Sequence, residues 1–310
     1  MGIMNKKNKG ILAVLLLFGL LLSGGLTGCG GAGQKSENLE KDGLNQEENS
    51  RTEKEDVREA DTEQGMELPL AGKKLSICGD SISTFTGYIP DYYSKYYPEM
   101  GEITDVKDTW WMQVLERTGM ELCRNASYSG STVSGLSLDE EDGRYACGNR
   151  RVDDLCGESG EPDIILILMG TNDLLIDVPL GAYDGVSAVE EGNIETFSEA
   201  YALMLDKMIR RYPEADIYCC TIAEVGRQNE EGDSYAYTNI HNTQAKDYNA
   251  WIEAVATAKG VPVIDVYGCG ITSGNIMEYT TEGTHPNAAG ARLIADKVCE
   301  ELGAGQQAWR

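Results

Sequence analysis

The chain has 310 residues, 41% of them hydrophobic, with 26 Lys+Arg against 51 Asp+Glu, 36 Gly, 9 Cys, 3 Phe and only 2 His. That length and apolar fraction suffice for a sizeable core and exclude wholesale disorder, while a net charge of −25 repels phosphate backbones and, with no Lys/Arg cluster beyond the N-terminus, argues against nucleic acid as a partner. Two histidines also exclude a site built from three His ligands.

Lys6, Lys7 and Lys9 precede a twelve-residue apolar run, Ile11 to Leu22, too short for a comfortable membrane span and patterned like a targeting segment. The run leads to Leu26-Thr27-Gly28-Cys29, which resembles the lipobox of bacterial lipoproteins. The resemblance implies that residues 1–29 are a lipoprotein signal peptide, that Cys29 is lipidated, and that the mature protein sits outside the cytoplasm on a membrane. Residues 30–70 carry 12 acidic and 5 basic residues without an apolar period, so they are expected to form a disordered acidic tether. The leader carries +3 and the tether −7, which leaves −21 on residues 71–310.

In that remainder five short apolar runs bounded by turn residues read as strands: Leu75–Cys78, Glu121–Arg124, Ile164–Met169, Ile217–Ile222 and Pro262–Val266. Helices are expected from Asp108 or Thr109 to Gly119, then over Glu195–Tyr212, Thr243–Lys259 and Ala288–Leu302. Buried strands alternating with helices predict a parallel sheet covered on both faces, a three-layer α/β/α sandwich whose binding crevice lies at the strands' carboxyl ends. Cys78, Cys123, Cys219 and Cys220 fall in or beside the strands, where a free thiol behaves as a small hydrophobe. Cys147 with Cys156 is the one pair that merits a disulfide test. The acidic stretch Asp139–Asp142 lacks the spacing of an EF-hand and reads as a solvated loop.

Polar clusters follow the strands: Gly79-Asp80-Ser81-Ile82, Asn125-Ala126-Ser127-Tyr128-Ser129-Gly130, Gly170-Thr171-Asn172-Asp173 and Glu282-Gly283-Thr284-His285-Pro286. All are expected on one rim of the sheet. A hydroxyl, a base to take its proton, and N–H donors for an oxyanion are the parts of acyl transfer. His285 is the base by elimination, because the other histidine, His241, lies in a polar stretch with no strand before it.

In this order the four clusters resemble the four sequence blocks of the SGNH (GDSL) hydrolases, over roughly residues 73–303. The resemblance implies a flavodoxin-like five-stranded, mainly parallel sheet and a serine esterase needing no cofactor or metal. It makes Ser81 the nucleophile and His285 the base, with the N–H of Ser81, the N–H of Gly130 and the Asn172 amide as oxyanion hole. Where the family usually has Asp three residues before the His, this chain has Glu282. Asp265 or a backbone carbonyl is the alternative partner for the imidazole, and Asp80 and Asp173 are expected to brace their loops.

The loop Thr86–Asp108 holds Tyr88, Tyr92, Tyr93, Tyr96 and Tyr97 and runs into Trp110 and Trp111. Tyr88, Tyr92, Tyr93 and Trp110 are candidate contacts for sugar rings, packing of the loop onto the domain being the alternative. Together these features predict hydrolysis of short acyl esters, acetyl on carbohydrate foremost. An acyltransferase using the same serine, or an inactive glycan-binding lipoprotein, is the rival reading.

Overall fold

The computed structural model describes residues 69–135, 143–191 and 194–308, with side chains to 303. The expected signal peptide with Cys29, nearly all of the tether, and the Asp139–Asp142 stretch lie outside the described residues. The strands are β1 (Lys74–Gly79), β2 (Glu121–Asn125), β3 (Ile164–Leu168), β4 (Asp216–Cys220), β5 (Gly226–Gln228), β6 (Ser234–Ala236) and β7 (Val263–Ile264). The helices are α1 (Trp110–Thr118), α2 (Asn149–Asp153), α3 (Thr171–Leu175), α4 (Phe197–Arg211), α5 (Ala245–Lys259), α6 (Ile276–Tyr279) and α7 (Ala288–Ala308).

Five strands form a wholly parallel sheet in the order β2-β1-β3-β4-β7, and β5 with β6 makes a separate antiparallel hairpin. The β3 sequence IILIL is apolar throughout because both of its faces are covered. Ile165 and Ile167 join the core beneath α4 and α5, whereas Ile164, Leu166 and Leu168 join the core beneath α1 and α7. The sheet is thus the middle of three layers, as the alternation of strands and helices predicts. Both ends of α1 and the start of α5 have local causes. The Thr109 hydroxyl caps α1 by accepting from Met112 N, Gly119 closes it in the left-handed region, and Gln244 with Asp247 forms a capping box on α5.

Several boundaries differ from the sequence expectation. β2 is an edge strand, so Cys123 is only half-buried. β4 ends at Cys220, because the Asn249 side chain of α5 takes over both backbone groups of Ile222, at 2.8 and 2.9 Å. β7 is two residues long, since Asp265 turns the chain by accepting from Gly268 N at 3.1 Å. The helices α2, α3 and α6 and the β5–β6 hairpin are additions that short, weakly periodic segments do not announce. Cys147 and Cys156 are not joined in a disulfide; Cys147 is fully buried in the core on the α4 side, where it packs as a small hydrophobe. Among the described residues no helix is long and apolar enough to cross a membrane.

Candidate active site

β1 delivers Ser81 on a single 3₁₀ turn, Ser81–Ser83, at its carboxyl end. The turn forms because Asp80, in an extended conformation, accepts from Ile82 N through Oδ1 at 3.0 Å. The Ser83 carbonyl then accepts from Asn125 Nδ2 at 2.8 Å, and its hydroxyl accepts from Trp110 Nε1 at 3.0 Å. Asn125, the last residue of β2, also turns its own chain inward, its Oδ1 accepting from Ser127 N at 3.0 Å. The loop reaches Gly130 at φ +79°, a left-handed conformation that glycine adopts without strain. Behind β3, Asn172 donates one Nδ2 hydrogen to Ser131 O at 2.9 Å. That bond fixes the amide plane beside Gly130 and leaves the second amide hydrogen for another acceptor.

His285 arrives from the far end of the chain on the turn before α7. Gly283 makes that turn at φ +88°, with Gly226 O so close that a Cβ would collide with it. Gly283 O accepts from Gly226 N at 2.8 Å, so the hairpin buttresses the turn. The result is a hydrogen-bonded chain of three groups. Glu282 Oε1 sits against His285 Nδ1 in a very short contact, and His285 Nε2 lies 2.9 Å from Ser81 Oγ. With Nδ1–H donating to the carboxylate, Nε2 is the free acceptor for the serine hydroxyl. Glu282 also accepts from His285 N at 3.2 Å, so its extra methylene is taken up within the turn. Asp265 is engaged at its own turn instead, and His241 Nε2 lies 3.0 Å from Asp177 O in a separate loop.

The aromatic loop divides into two groups. Tyr88 and Tyr92 are exposed, whereas Tyr93 and Trp110 are buried and have no face to offer a ligand. Tyr93 Oη donates to Asp154 at 2.7 Å, and Trp110 braces the Ser81–Ser83 turn. Both therefore belong to the packing alternative. Tyr92 is exposed but fixed, with the Arg150 guanidinium over one face of its ring, 4.7 Å from the centroid, and a 2.9 Å bond from the Tyr92 hydroxyl to Asp154.

Two residues stand out that sequence reasoning did not single out. Tyr96 stacks on the His285 imidazole, centroids 3.7 Å apart and planes at 8°. Arg151 of α2 is fully buried, its guanidinium donating to Gly79 O, to Gly143 O at 2.9 Å and to Ser131 Oγ at 3.3 Å. It fastens together the loops that carry Ser81 and Gly130. Arg151 lies in an Asn-Arg-Arg stretch that reads as solvated surface charge, and nothing in its local pattern marks it as buried. Among the described residues no three His, Cys, Asp or Glu side chains group as a metal site.

The model of the GDSL-like lipase/acylhydrolase family matches residues 73–302. Among solved structures, a Bacteroides ovatus protein classed as a GDSL-like lipase matches at 29% identity and TM-score 0.57, over 76% of this chain and 99% of its own. A second, from Bacteroides uniformis, matches at 28% and 0.55, over 75% of this chain and 96% of its own. A Lactobacillus plantarum protein shares the fold at 24% identity and TM-score 0.56, over 76% of this chain and 98% of its own. No curated protein matches the chain.

The site's electrostatics rest on two buried aspartates. Burial pushes Asp80 up to about 6, against the opposing pull of its bond from Ile82 N and of nearby His285 and Arg151. Burial likewise pushes Asp173 up to about 7, although it accepts from Val133 N at 2.9 Å, Ser134 N at 3.1 Å and Ser134 Oγ at 2.9 Å. Both raised carboxyls bind protons more tightly folded than unfolded. Their stabilising contribution is therefore full below the ordinary aspartate range and is lost as pH rises through about 6 to 7. Asp184 and Glu199, whose carboxyls are held low, act only at more acidic pH. Urea unfolding is accordingly expected to give a higher midpoint at pH 5.5 than at pH 8, with the difference reduced in Asp173→Asn; equal slopes against pH in the two proteins would contradict the assignment to Asp173.

Proposed function

The chain belongs to the GDSL-like lipase/acylhydrolase family and is an acyl-ester hydrolase; from that premise we propose that it is an extracytoplasmic serine esterase removing short acyl groups, acetyl foremost, from carbohydrate. The observation that carries the chemistry is the Glu282–His285–Ser81 chain, with 2.9 Å between Nε2 and Oγ, at the sheet edge that also holds Gly130 and Asn172.

Ser81 Oγ attacks the acyl carbon while His285 Nε2 takes its proton. The carbonyl π pair moves onto oxygen, and that oxyanion is received by the N–H groups of Ser81 and Gly130 and by the free Asn172 amide hydrogen. Glu282 holds the imidazole tautomer and offsets the charge of the imidazolium. His285 then returns the proton to the leaving alkoxide, and a water molecule, deprotonated by the same nitrogen, releases the acyl group.

A carbohydrate substrate is supported by the exposed rings of Tyr88 and Tyr92, the second held rigid by Asp154 and by Arg150 over one face. Their loop is joined to the oxyanion loop by a 2.9 Å bond from Ser129 N to Ser94 O and by Tyr93 packed on Tyr128. A short acyl group is supported by a chain with only 3 Phe, which is poor material for an extended acyl groove. An extracytoplasmic, membrane-anchored location is supported by the basic n-region, the apolar run and the Leu-Thr-Gly-Cys29 sequence.

With p-nitrophenyl acetate, the wild type is expected to turn over faster than with butyrate or longer esters. Ser81→Ala and His285→Ala fall at least about 10³-fold, Asn172→Ala about 10²- to 10³-fold, and Glu282→Ala by less than the serine variant. Full activity in Ser81→Ala would end the serine reading, and turnover that requires a sugar acceptor would transfer the protein to the acyltransferase class. In a bacterial host given a labelled fatty acid, the wild-type chain is expected to become labelled and Cys29→Ser to remain unlabelled; equal labelling would remove the proposed anchor.

A further inference from the structure

The imidazole of His285 has two faces, and an aromatic ring covers one of them. Tyr96 lies parallel to it at 8°, with the centroids 3.7 Å apart. The same tyrosine is tied to the nucleophile side of the site. Its backbone N–H donates to Thr84 Oγ1 at 3.0 Å, and that hydroxyl donates to Ser81 O at 3.1 Å. Its neighbour Tyr97 meets it edge-on at 86°, is fully buried, and donates through Oη to Pro286 O at 2.7 Å, next to the histidine. Tyr97 O in turn accepts from Thr86 N at 2.9 Å. Two adjacent residues thus link turns that are some two hundred positions apart in sequence.

We propose that Tyr96 is a positioning residue for the reaction: its ring sets the plane of the His285 imidazole and, as Ser81 passes its proton to Nε2, stabilises the imidazolium across the stacked face. The proposal rests on the Ser81–His285 hydrolase reading and adds a residue to it. When the Oγ–acyl bond forms and the proton moves to Nε2, one positive charge appears on the ring facing Tyr96. An aromatic face attracts such a charge more strongly the less water surrounds it, and Tyr96 is half-buried. The stack also prevents the ring from turning about its Cβ–Cγ bond, a rotation that would break the 2.9 Å approach to Ser81.

The charged and titratable groups around the imidazole come from four directions. Glu282 contacts it from its own turn, Asp80 faces it from the nucleophile loop, and Tyr96 with Tyr97 comes from the aromatic loop. Arg227 of the hairpin reaches the base turn through Thr284 Oγ1 at 3.2 Å. The Tyr96 hydroxyl faces Glu282, whose charge adds to burial in pushing the phenol up to about 12, so it stays a neutral donor and leaves the charge balance to the other groups.

The test uses the full chain with Tyr96→Phe, which keeps the ring, and Tyr96→Leu, which removes it. Only His241 and His285 contribute imidazole signals, so NMR reads the ring directly, His285→Ala supplying the assignment. In the wild type and Tyr96→Phe the His285 ring protons are expected upfield from the stacked ring. In Tyr96→Leu they return downfield, as the loss of the stacked ring implies. Kinetically, Tyr96→Leu lowers kcat about 10-fold or more with KM within about 3-fold, its thermal midpoint staying near that of Tyr96→Phe. Unchanged His285 signals in Tyr96→Leu overturn the proposal, as does an effect on KM alone or a loss in Tyr96→Phe equal to that in Tyr96→Leu. A wild type that fails to hydrolyse esters would instead strike at the hydrolase reading, while the NMR comparison would still judge the stack.

Discussion

The register of β1 against β3, from Leu75 opposite Ile164 to Gly79 opposite Leu168, is the constraint on which the rest of the molecule depends. Parallel pairing makes every strand end on the same edge, so whatever the chain places after a strand meets whatever it places after the next. Here those residues are Ser81 after β1, Gly130 after β2 and Asn172 after β3. A shift of one residue would exchange the two faces of β3, moving Ile165 and Ile167 out of one core and Ile164, Leu166 and Leu168 out of the other. Both faces are packed, so the register is specified from both sides, and the position of Ser81 is specified with it.

His285 is held by a different device. The short β7 and the turn after it place His285 beyond the sheet, where backbone pairing has no hold on it. Three elements supply that hold. The hairpin bonds Gly283 through Gly226, the aromatic loop grips Pro286 through Tyr97 and the imidazole through Tyr96, and α7 carries the turn onto the core with α1. The Glu282–His285 contact is then local, three residues apart, and the turn accommodates glutamate by letting it accept from His285 N as well. Arg151 does the corresponding work under the loops that carry Ser81 and Gly130. A buried guanidinium with backbone and hydroxyl acceptors is stabilising only while those acceptors stay in place, which couples the loops to one another.

Much of this was legible in the sequence because it is local. The apolar runs mark the strands, their alternation with helices marks the layers, and the Gly-Asp-Ser, Gly-Thr-Asn-Asp and His-Pro clusters mark the rim. What the sequence did not disclose depends on contacts between distant segments. Arg151 reads as surface charge until the fold closes over it, and Tyr96 is one of five similar tyrosines until the turn bearing His285, nearly two hundred residues later, is laid against it. Trp110 shows the converse error. As an aromatic beside the rim it suggests a ligand contact, yet the helix that it begins turns it inward to Ser83. β4 stops short of its apolar run for a related reason, because the pairing that would prolong it is replaced by Asn249 from α5.

The central claim is that this fold activates Ser81 through His285. The most direct measurement is intact-mass and peptide analysis after reaction with a fluorophosphonate, which forms a P–O bond to an activated serine with loss of fluoride and does not depend on knowing the substrate. The account predicts a single adduct on the peptide containing Ser81, absent in Ser81→Ala and formed far more slowly in His285→Ala. An adduct on another residue, or labelling of Ser81 at the same rate without His285, would contradict it.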